Sequence, residues 1–218
     1  SFDAPVVVGR APGNGPVWAP RESAAVFLVG SLFGTADASL QTRVGYTAGE
    51  EAVWVSDSSV KCRYAKGRGS GHALVVTVVG HTATVTGVFS YDSPSATRAS
   101  PANLPSSGRE VLITGENFAG SSGGASGRAR IGGSACLAST WASDSGVVCR
   151  AARGSGTARS AVVTVDAQRG TTPALASYDT ASIRLLSPNN APTLPTDPSE
   201  GVILVRGSGL GHFDQSHA

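Results

Sequence analysis

The chain has 218 residues, of which 40% are hydrophobic and only 15% are charged, so it can build packed cores beneath a sparsely charged surface. Its 17 basic and 15 acidic residues give a net charge of +2, which excludes a strong electrostatic attraction to nucleic acid or to a membrane surface. No apolar run approaches the roughly 18 residues of a membrane-spanning helix, while 28 glycines and 12 prolines indicate many turns.

An internal repeat organises the sequence from end to end. Three blocks recur at one constant offset of 87 residues, the distance from Trp54 to Trp141. These blocks are residues 54–63, 75–78 and 90–92, which recur as residues 141–150, 162–165 and 177–179. Residues 1–5 match the end of a copy, and residues 202–207 match the start of one. We therefore predict the tail of a preceding module at 1–5, a first module at 6–92, a second at 93–179 and a partial third at 180–218.

Each module is predicted to consist of short strands. In chain order, compact runs rich in β-branched residues occupy residues 25–29, 73–79, 110–114 and 160–165. About seven short strands in fewer than 100 residues are typical of an immunoglobulin-like sandwich. No window has the sustained apolar spacing of an amphipathic helix. The predicted fold class is all-β, with tandem immunoglobulin-like β-sandwiches.

Short motifs recur in the same order in each copy. The first strand motif ends in Gly-x-x-Phe at Gly30 and Gly115, and Leu210 takes the Phe position after Gly207. A Ser-Asp pair with Val-x-Cys follows, then Val-Val-Thr-Val, and the module closes with Phe-x-Tyr at residues 89–91. Together these motifs resemble the IPT/TIG family, immunoglobulin-like modules of plexins, transcription factors and many surface proteins. The resemblance covers nearly the whole chain and implies that this is the extracellular type of the domain.

The three cysteines are unevenly distributed between the modules. Some extracellular members of the resembled family pair two cysteines across neighbouring strands, which implies a disulfide between Cys136 and Cys149. A hairpin could close the loop between them, and two buried thiols of a cytosolic domain are the alternative. Cys62 has no such partner because Gly49 occupies the equivalent position. It is therefore predicted to be an unpaired, small buried hydrophobe, with an intermolecular bridge as the less favoured alternative.

Aromatic residues at equivalent positions of the two modules have two interpretations. Trp54 and Trp141 are equivalent, as are Tyr91 and Tyr178. They could form a platform for sugar, but an aromatic residue kept in both copies is what a sandwich core needs. We predict that they pack in the cores.

The charged and polar residues predict no catalytic, metal or cofactor site. The histidines are scattered, without metal-ligand spacing, at His72, His81, His212 and His217. Asp57 and Asp144 lie in Ser-rich turns, where such side chains bind backbone amides. The Gly-rich residues 67–71 form a hairpin turn, since no helix follows to make a phosphate loop. The basic cluster of Lys61, Arg63, Lys66 and Arg68 could contact phosphate, but a solvated strand edge fits the small net charge better.

Prolines concentrate where the modules are predicted to meet. They would stiffen a short linker, and the accompanying Ser and Thr resemble O-glycosylated surface proteins. The candidate O-glycosylation region comprises Ser93, Pro94, Ser100, Pro101, Ser187, Pro188, Pro192, Thr193, Pro195 and Thr196.

These observations favour a non-enzymatic structural or adhesive protein of the cell surface or extracellular matrix. The apolar run Val202, Ile203, Leu204 and Val205 is predicted to be an assembly strand, which another molecule could complete to form fibres. The expected partners are other copies of the protein, neighbouring modules and glycans, without nucleic acid, membrane insertion or a cofactor. An accessory carbohydrate-binding module of a secreted carbohydrate-active enzyme is the alternative, and a DNA-binding module is a third hypothesis.

Overall fold

The computed structural model describes residues 3–17, 24–36, 39–118, 128–190 and 202–210, and none of these residues is helical. The strands form two tandem sandwiches of the same topology, which confirms the predicted fold class. The first contains β1 (Val6–Ala11), β2 (Asn14–Gly15), β3 (Ala25–Ser31), β4 (Gln41–Val44), β5 (Thr47–Ala48), β6 (Glu51–Ser56), β7 (Ser59–Arg63), β8 (His72–Val78) and β9 (His81–Tyr91). The second contains β10 (Ser95–Ser100), β11 (Asn103–Leu104), β12 (Glu110–Glu116), β13 (Arg128–Ile131), β14 (Ser134–Ala135), β15 (Ala138–Ser143), β16 (Gly146–Arg150), β17 (Arg159–Val165) and β18 (Gln168–Tyr178). A separate pair follows, formed by β19 (Ser182–Ser187) and β20 (Leu204–Ser208).

Each sandwich combines a four-stranded sheet with a five-stranded sheet. The strand orders are β1-β3-β7-β6 and β2-β9-β8-β4-β5 in the first, and β10-β12-β16-β15 and β11-β18-β17-β13-β14 in the second. Neighbouring strands are antiparallel except in the short pairs β2–β9 and β11–β18, which are parallel. The sequence offset of 87 residues carries β4 to β9 onto β13 to β18, so the repeat in sequence is a repeat in structure.

Alternation along the strands decides which side chains enter the cores. In both β4 and β13, every second side chain is buried, which places Val44 and Ile131 inside their sandwiches. The aromatic residues of the Gly-x-x-Phe motif, Phe33 and Phe118, are both 0% exposed. Burying a side chain of this size stabilises the fold by about 1.5–3 kcal/mol. The repeated apolar positions are therefore the main source of stability in both sandwiches.

The glycine of the Gly-x-x-Phe motif is required by a close approach of two backbones. A Cβ on Gly30 would lie 1.9 Å from the carbonyl oxygen of Val6 in β1. The corresponding distances for Gly115 and Gly207 are 2.0 and 1.9 Å, again to a carbonyl oxygen of the neighbouring strand. In all three copies this contact lies beside a register shift in the first strand. The motif therefore marks a β-bulge that no side chain at the glycine could accommodate.

The proline-rich stretch after the first sandwich is not the predicted stiff linker. Most of residues 93–105 belong to β10 and β11, which are strands of the second sandwich, and Pro94 is buried. Cis peptide bonds precede Pro12, Pro101 and Pro188, at equivalent positions after β1, β10 and β19. These prolines thus belong to a repeated turn, and only three residues separate β9 from β10.

The predicted assembly strand at Val202–Val205 is displaced in the structure. The observed strand β20 begins at Leu204, and its register on β19 matches that of β10 and β12, including the bulge. The reason is that β19 ends at Ser187, which pairs with Leu204, so that among the described residues no strand residue pairs with Val202 or Ile203. Side chains on both strands are exposed, including Leu204 at 50% and Val205 at 41%. Within the described ranges, the second edge of β20 pairs with no strand.

Candidate functional site

The repeated aromatic residues lie in the sandwiches. Tyr91 and Tyr178 are each 4% exposed, and their hydroxyls donate to the carbonyls of Ala65 and Ala152, both at 2.9 Å. Burial, first, and then the neighbouring Tyr64 and Cys62 raise the pKa of Tyr91 to about 12. Burial also raises the pKa of Tyr178. These hydroxyls are therefore hydrogen-bond donors within the two modules.

The tryptophans are half-buried and pack against the same cores. The indole of Trp54 donates to the carbonyl of Gly34 at 3.2 Å, next to the Gly-x-x-Phe motif. The ring centroid of Trp141 lies 5.7 Å from that of Phe118. Trp141 thus packs on the buried phenylalanine of its module, while Trp54 is bonded to the residue that follows Phe33.

The cysteines differ between the sandwiches as the sequence suggests. Cys136 and Cys149 are joined by a disulfide with a Cα–Cα separation of 5.6 Å, and Cys149 lies on β16. Cys62 is a free, buried thiol whose pKa is raised by burial, an effect that the hydrogen bond with Thr42 partly opposes. A Cβ at Gly49 would lie 3.1 Å from the Cys62 sulfur, so Gly49 does occupy the position of the missing partner.

The basic cluster divides between two places. Arg63, the last residue of β7, pairs with Glu50 at 3.3 Å and Glu51 at 3.0 Å. Lys66 and Arg68 lie instead at the end of the first sandwich, where the second sandwich begins. The cluster is therefore not one continuous surface for phosphate. Within the described part of the chain, no group of His, Cys, Asp or Glu could hold a metal ion.

A joint connects the two sandwiches through the Gly-rich loop at residues 67–71, which joins β7 of one sheet to β8 of the other and is therefore not the predicted hairpin turn. Arg68 in this loop forms an ion pair with Asp166, which lies in the turn between β17 and β18. Gln168, the first residue of β18, accepts a hydrogen bond from the amide of Gly69 at 3.1 Å. Its side-chain amide also donates to the carbonyl of Tyr91 at 2.6 Å. One glutamine thus bridges two separate backbone segments of the first sandwich.

The chain between the sandwiches packs as closely as the turns do. A Cβ at Gly170 would lie 1.8 Å from the carbonyl oxygen of Pro94, so β18 approaches the connecting residues without room for a side chain. The second sandwich therefore holds its entering segment by backbone contact as well as by polar side chains.

The joint encloses a cleft of about 310 Å³ lined by both sandwiches. Tyr46, in the turn between β4 and β5, lines this cleft and is fully exposed. Lys66 of the first sandwich and Asp166 of the second also line the cleft, and both are exposed. His72 is held inside by a contact of 2.8 Å between its Nε2 and the carbonyl of Arg68. Its ring centroid lies 5.5 Å from that of Tyr91, in an edge-on arrangement.

Sequence reasoning did not identify Tyr46, Asp166 or Gln168. The repeat contains a signal for them, because the equivalent positions of the other module hold Gly133, Val79 and His81. Positions that differ between copies of one fold are not set by the common core, and three of them meet at this joint.

The predicted modification residues are placed only in part. Ser93, Ser100 and Ser187 are exposed, whereas Pro94 is buried and Pro101 and Pro188 lie in the repeated turn. Pro192, Thr193, Pro195 and Thr196 lie outside the described residues, as do His212 and His217.

Comparison with known proteins identifies the modules. The family profile of the IPT/TIG domain matches residues 19–91 and 94–178. No curated protein matches the chain. Similar solved structures include the plexin A4 extracellular region, at 20% identity and a TM-score of 0.38 over 84% of this chain and 16% of that one. Two others are SGBP-B from a xyloglucan utilization locus of Bacteroides uniformis and the surface glycan-binding protein PbSGBP-B of Prevotella bryantii.

The Bacteroides protein is 14% identical, with a TM-score of 0.34 over 80% of this chain and 50% of that one. The Prevotella protein is 15% identical, with a TM-score of 0.49 over 79% of this chain and 42% of that one. The chain thus spans half or less of each of these structures. No helix long and apolar enough to cross a membrane occurs among the described residues. With two profile matches over most of its length, the chain belongs to the IPT/TIG domain family.

Proposed function

We propose that this chain is part of a non-enzymatic structural or adhesive protein outside the cell, in which IPT/TIG modules are held in a fixed relation. The observation that supports this most is Gln168, whose side chain bonds to two backbone segments of the preceding module. Module interfaces within one chain usually allow relative motion unless the contacts are extensive. A bridging glutamine, an ion pair and a backbone contact at Gly170 restrict that motion. Such an array would hold partners bound at its two ends at a fixed distance from each other.

The disulfide supports an oxidising location. The bond between Cys136 and Cys149 closes a loop with a sequence separation of 13 residues. Bonds of this kind persist on cell surfaces and in secreted proteins, and reducing thiols remove them in the cytosol. O-linked sugar on exposed Ser93, Ser100 and Ser187 would suit the same location. Peptide masses from native material with and without deglycosylation test it, and unmodified peptides exclude it.

The array function is tested by measuring how the two modules tumble. Backbone ¹⁵N relaxation should give one rotational correlation time for residues of both sandwiches in the unchanged chain. Gln168→Ala should give the modules separate, shorter correlation times, because both bridging hydrogen bonds are lost. The matched control is His81→Ala, the equivalent position of the first sandwich, which should leave the tumbling unchanged. Independent tumbling of the modules in the unchanged chain would exclude a fixed array.

Fibre formation by strand complementation is proposed as a further property of the array. It is supported by β20, whose second edge is unpaired within the described ranges and whose apolar side chains are exposed. A strand from another copy could add to that edge through main-chain hydrogen bonds. Repeated head-to-tail addition would not close and would give a filament.

Electron microscopy of native material tests the fibre proposal. Filaments should be present, and Val205→Lys should shorten or abolish them by placing a charge on the β19–β20 pair. Val8→Lys, on an exposed position of β1, should leave them intact. Monomeric particles in unchanged material would refute the proposal and leave the array function standing.

A carbohydrate-binding module is the second candidate function. The observation in its favour is Tyr46, a fully exposed aromatic side chain at the rim of a cleft between two modules. Exposed aromatic rings stack on sugar rings, and binding clefts occur preferentially at module interfaces.

A further inference from the structure

The exposed Tyr46 is not explained by the fold. It lies in the turn between β4 and β5 and is fully exposed. The same turn of the second sandwich carries Gly133 and keeps the same strand pairing. The turn therefore does not need a tyrosine, and the ring contributes nothing to the core.

The cleft beside Tyr46 is built from fixed side chains. His72 is held by the carbonyl of Arg68 and by the ring of Tyr91, and Tyr91 is itself anchored on the carbonyl of Ala65. Arg68 is fixed by its ion pair with Asp166 from the other sandwich. The floor and far wall are thus organised before any ligand arrives, which lowers the entropic cost of binding.

The charges around the cleft favour an anion. Lys66 and Arg68 contribute two positive charges, while Asp166 contributes one negative charge that is already paired with Arg68. Lys66 is exposed, and the cleft is also lined by Thr47, whose hydroxyl can donate and accept hydrogen bonds. A ligand that fits must offer a flat apolar face, hydroxyl groups and a negative charge within a cleft of about 310 Å³.

We infer that the cleft binds an acidic glycan, one that carries carboxylates on its pyranose rings. The apolar face of one ring stacks on Tyr46, its carboxylate pairs with Lys66, and its hydroxyls bond to Thr47 and Asp166. This inference rests on the second candidate function and names its site and ligand class. A neutral glycan would lack a partner for Lys66, and two basic side chains, Lys66 and Arg68, do not make an extended basic surface for a nucleic acid.

Isothermal titration with a hexamer of galacturonic acid tests the site, with cellohexaose as the neutral probe. The unchanged chain should bind the acidic hexamer at least about tenfold more tightly than the neutral one, and added salt should weaken that binding. Tyr46→Gly, which introduces the residue of the second module, should weaken it by at least about tenfold, while Tyr46→Phe should retain it within about twofold.

Lys66→Gln should reduce binding of the acidic hexamer and leave the weak binding of cellohexaose unchanged. Its matched control is Arg153→Gln at the equivalent position of the second module, which should bind as the unchanged chain does. Absence of binding by the unchanged chain, equal binding of both hexamers, or full binding by Tyr46→Gly would each overturn the inference. Module tumbling, measured on the same unchanged sample, tests the array function separately, so the two can fail independently.

Discussion

At the scale of residues, three positions explain why only one module has a disulfide. The second module combines Ala129, Cys136 and Cys149 where the first has Thr42, Gly49 and Cys62. A Cβ at Gly49 would lie only 2.3 Å from the Thr42 hydroxyl oxygen, although it is well placed toward the Cys62 sulfur. The threonine hydroxyl thus fills the space that a cysteine side chain would need. A cysteine at position 49 could therefore reach Cys62 only if the residue at position 42 were smaller than threonine.

Thr42→Ala combined with Gly49→Cys should therefore create a disulfide to Cys62. A loop of this length would stabilise the first module by about 3 kcal/mol in the chain-entropy model. Thiol counting under denaturing, non-reducing conditions should find no free thiol in the double variant. Gly49→Cys alone should leave two, because the hydroxyl still blocks the site. Two free thiols in the double variant would contradict this explanation.

The raised pKa of Tyr91 predicts a loss of stability in alkali. Its pKa rises from 10.0 to about 12 in the folded state, so between these values the unfolded chain loses a proton that the folded chain retains. The free energy of unfolding then falls as the pH rises through this window. Tyr91→Phe should flatten the fall, at a cost of about 1 kcal/mol near neutral pH for the lost hydrogen bond.

Thermal unfolding followed between pH 7 and pH 12 measures this dependence. Tyr46→Phe removes a fully exposed hydroxyl and should give the same curve as the unchanged chain. An equally steep alkaline loss in Tyr91→Phe would assign the effect to other groups.

At the scale of elements, the glycine of the Gly-x-x-Phe motif should tolerate substitution poorly, because it lies at the bulge between the first two long strands of each module. In Gly115→Ala the new Cβ would lie 2.0 Å from the carbonyl oxygen of Ser95 and 2.6 Å from the ring of Phe118. Relieving both contacts requires the bulge to open, so unfolding should become easier by about 3 kcal/mol. Gly133→Ala, with no atom within 4 Å of its Cβ, should change the stability by less than about 0.5 kcal/mol. Urea denaturation of both variants measures the difference, and equal stabilities would contradict the role assigned to the bulge.

Strands rich in β-branched residues were predictable from the sequence to within two residues. The run at 73–79 became β8 (His72–Val78), and the run at 160–165 became β17 (Arg159–Val165). β10 lies inside the predicted second module, but its sequence, Ser-Ala-Thr-Arg-Ala-Ser, does not predict a strand because it lacks large apolar residues. It is a strand because β12 pairs with it and because Ala96 and Ala99 are small enough to lie over the core. Pairing of that kind depends on the partner strand, which local composition does not reveal.

At the scale of the whole molecule, the joint could not be predicted from local patterns. Arg68 and Asp166 lie 98 positions apart, and each looks like an ordinary charged residue of a turn. The repeat marks both positions as different between the copies, with Ser155 and Val79 as their equivalents, but it does not show that the two residues meet. Only the stacking of one module on the next brings them together.

Exchanging the charges of Arg68 and Asp166 should distinguish the electrostatic attraction of the ion pair from the packing of the two side chains. Arg68→Asp alone should loosen the coupling of the modules, because two carboxylates would then meet. Adding Asp166→Arg should recover part of the coupling, by up to about 1 kcal/mol for a partly exposed pair. Correlation times of the two modules, compared as a double-mutant cycle, give the interaction. Additive effects of the two changes would show that the ion pair does not contribute.

The joint also makes the order of the modules matter. The Asp166 turn belongs to the second module and its arginine partner to the first, so each module carries half of the contact. If the second module were duplicated, Asp166 of the later copy would meet Ser155 of the earlier copy. If a first module followed a second module, Val79 would meet Ser155. Neither arrangement restores an opposite charge. A joint formed by duplication or recombination would therefore lack the ion pair. Substitutions in both modules would be needed before it restricted their relative motion as this joint does.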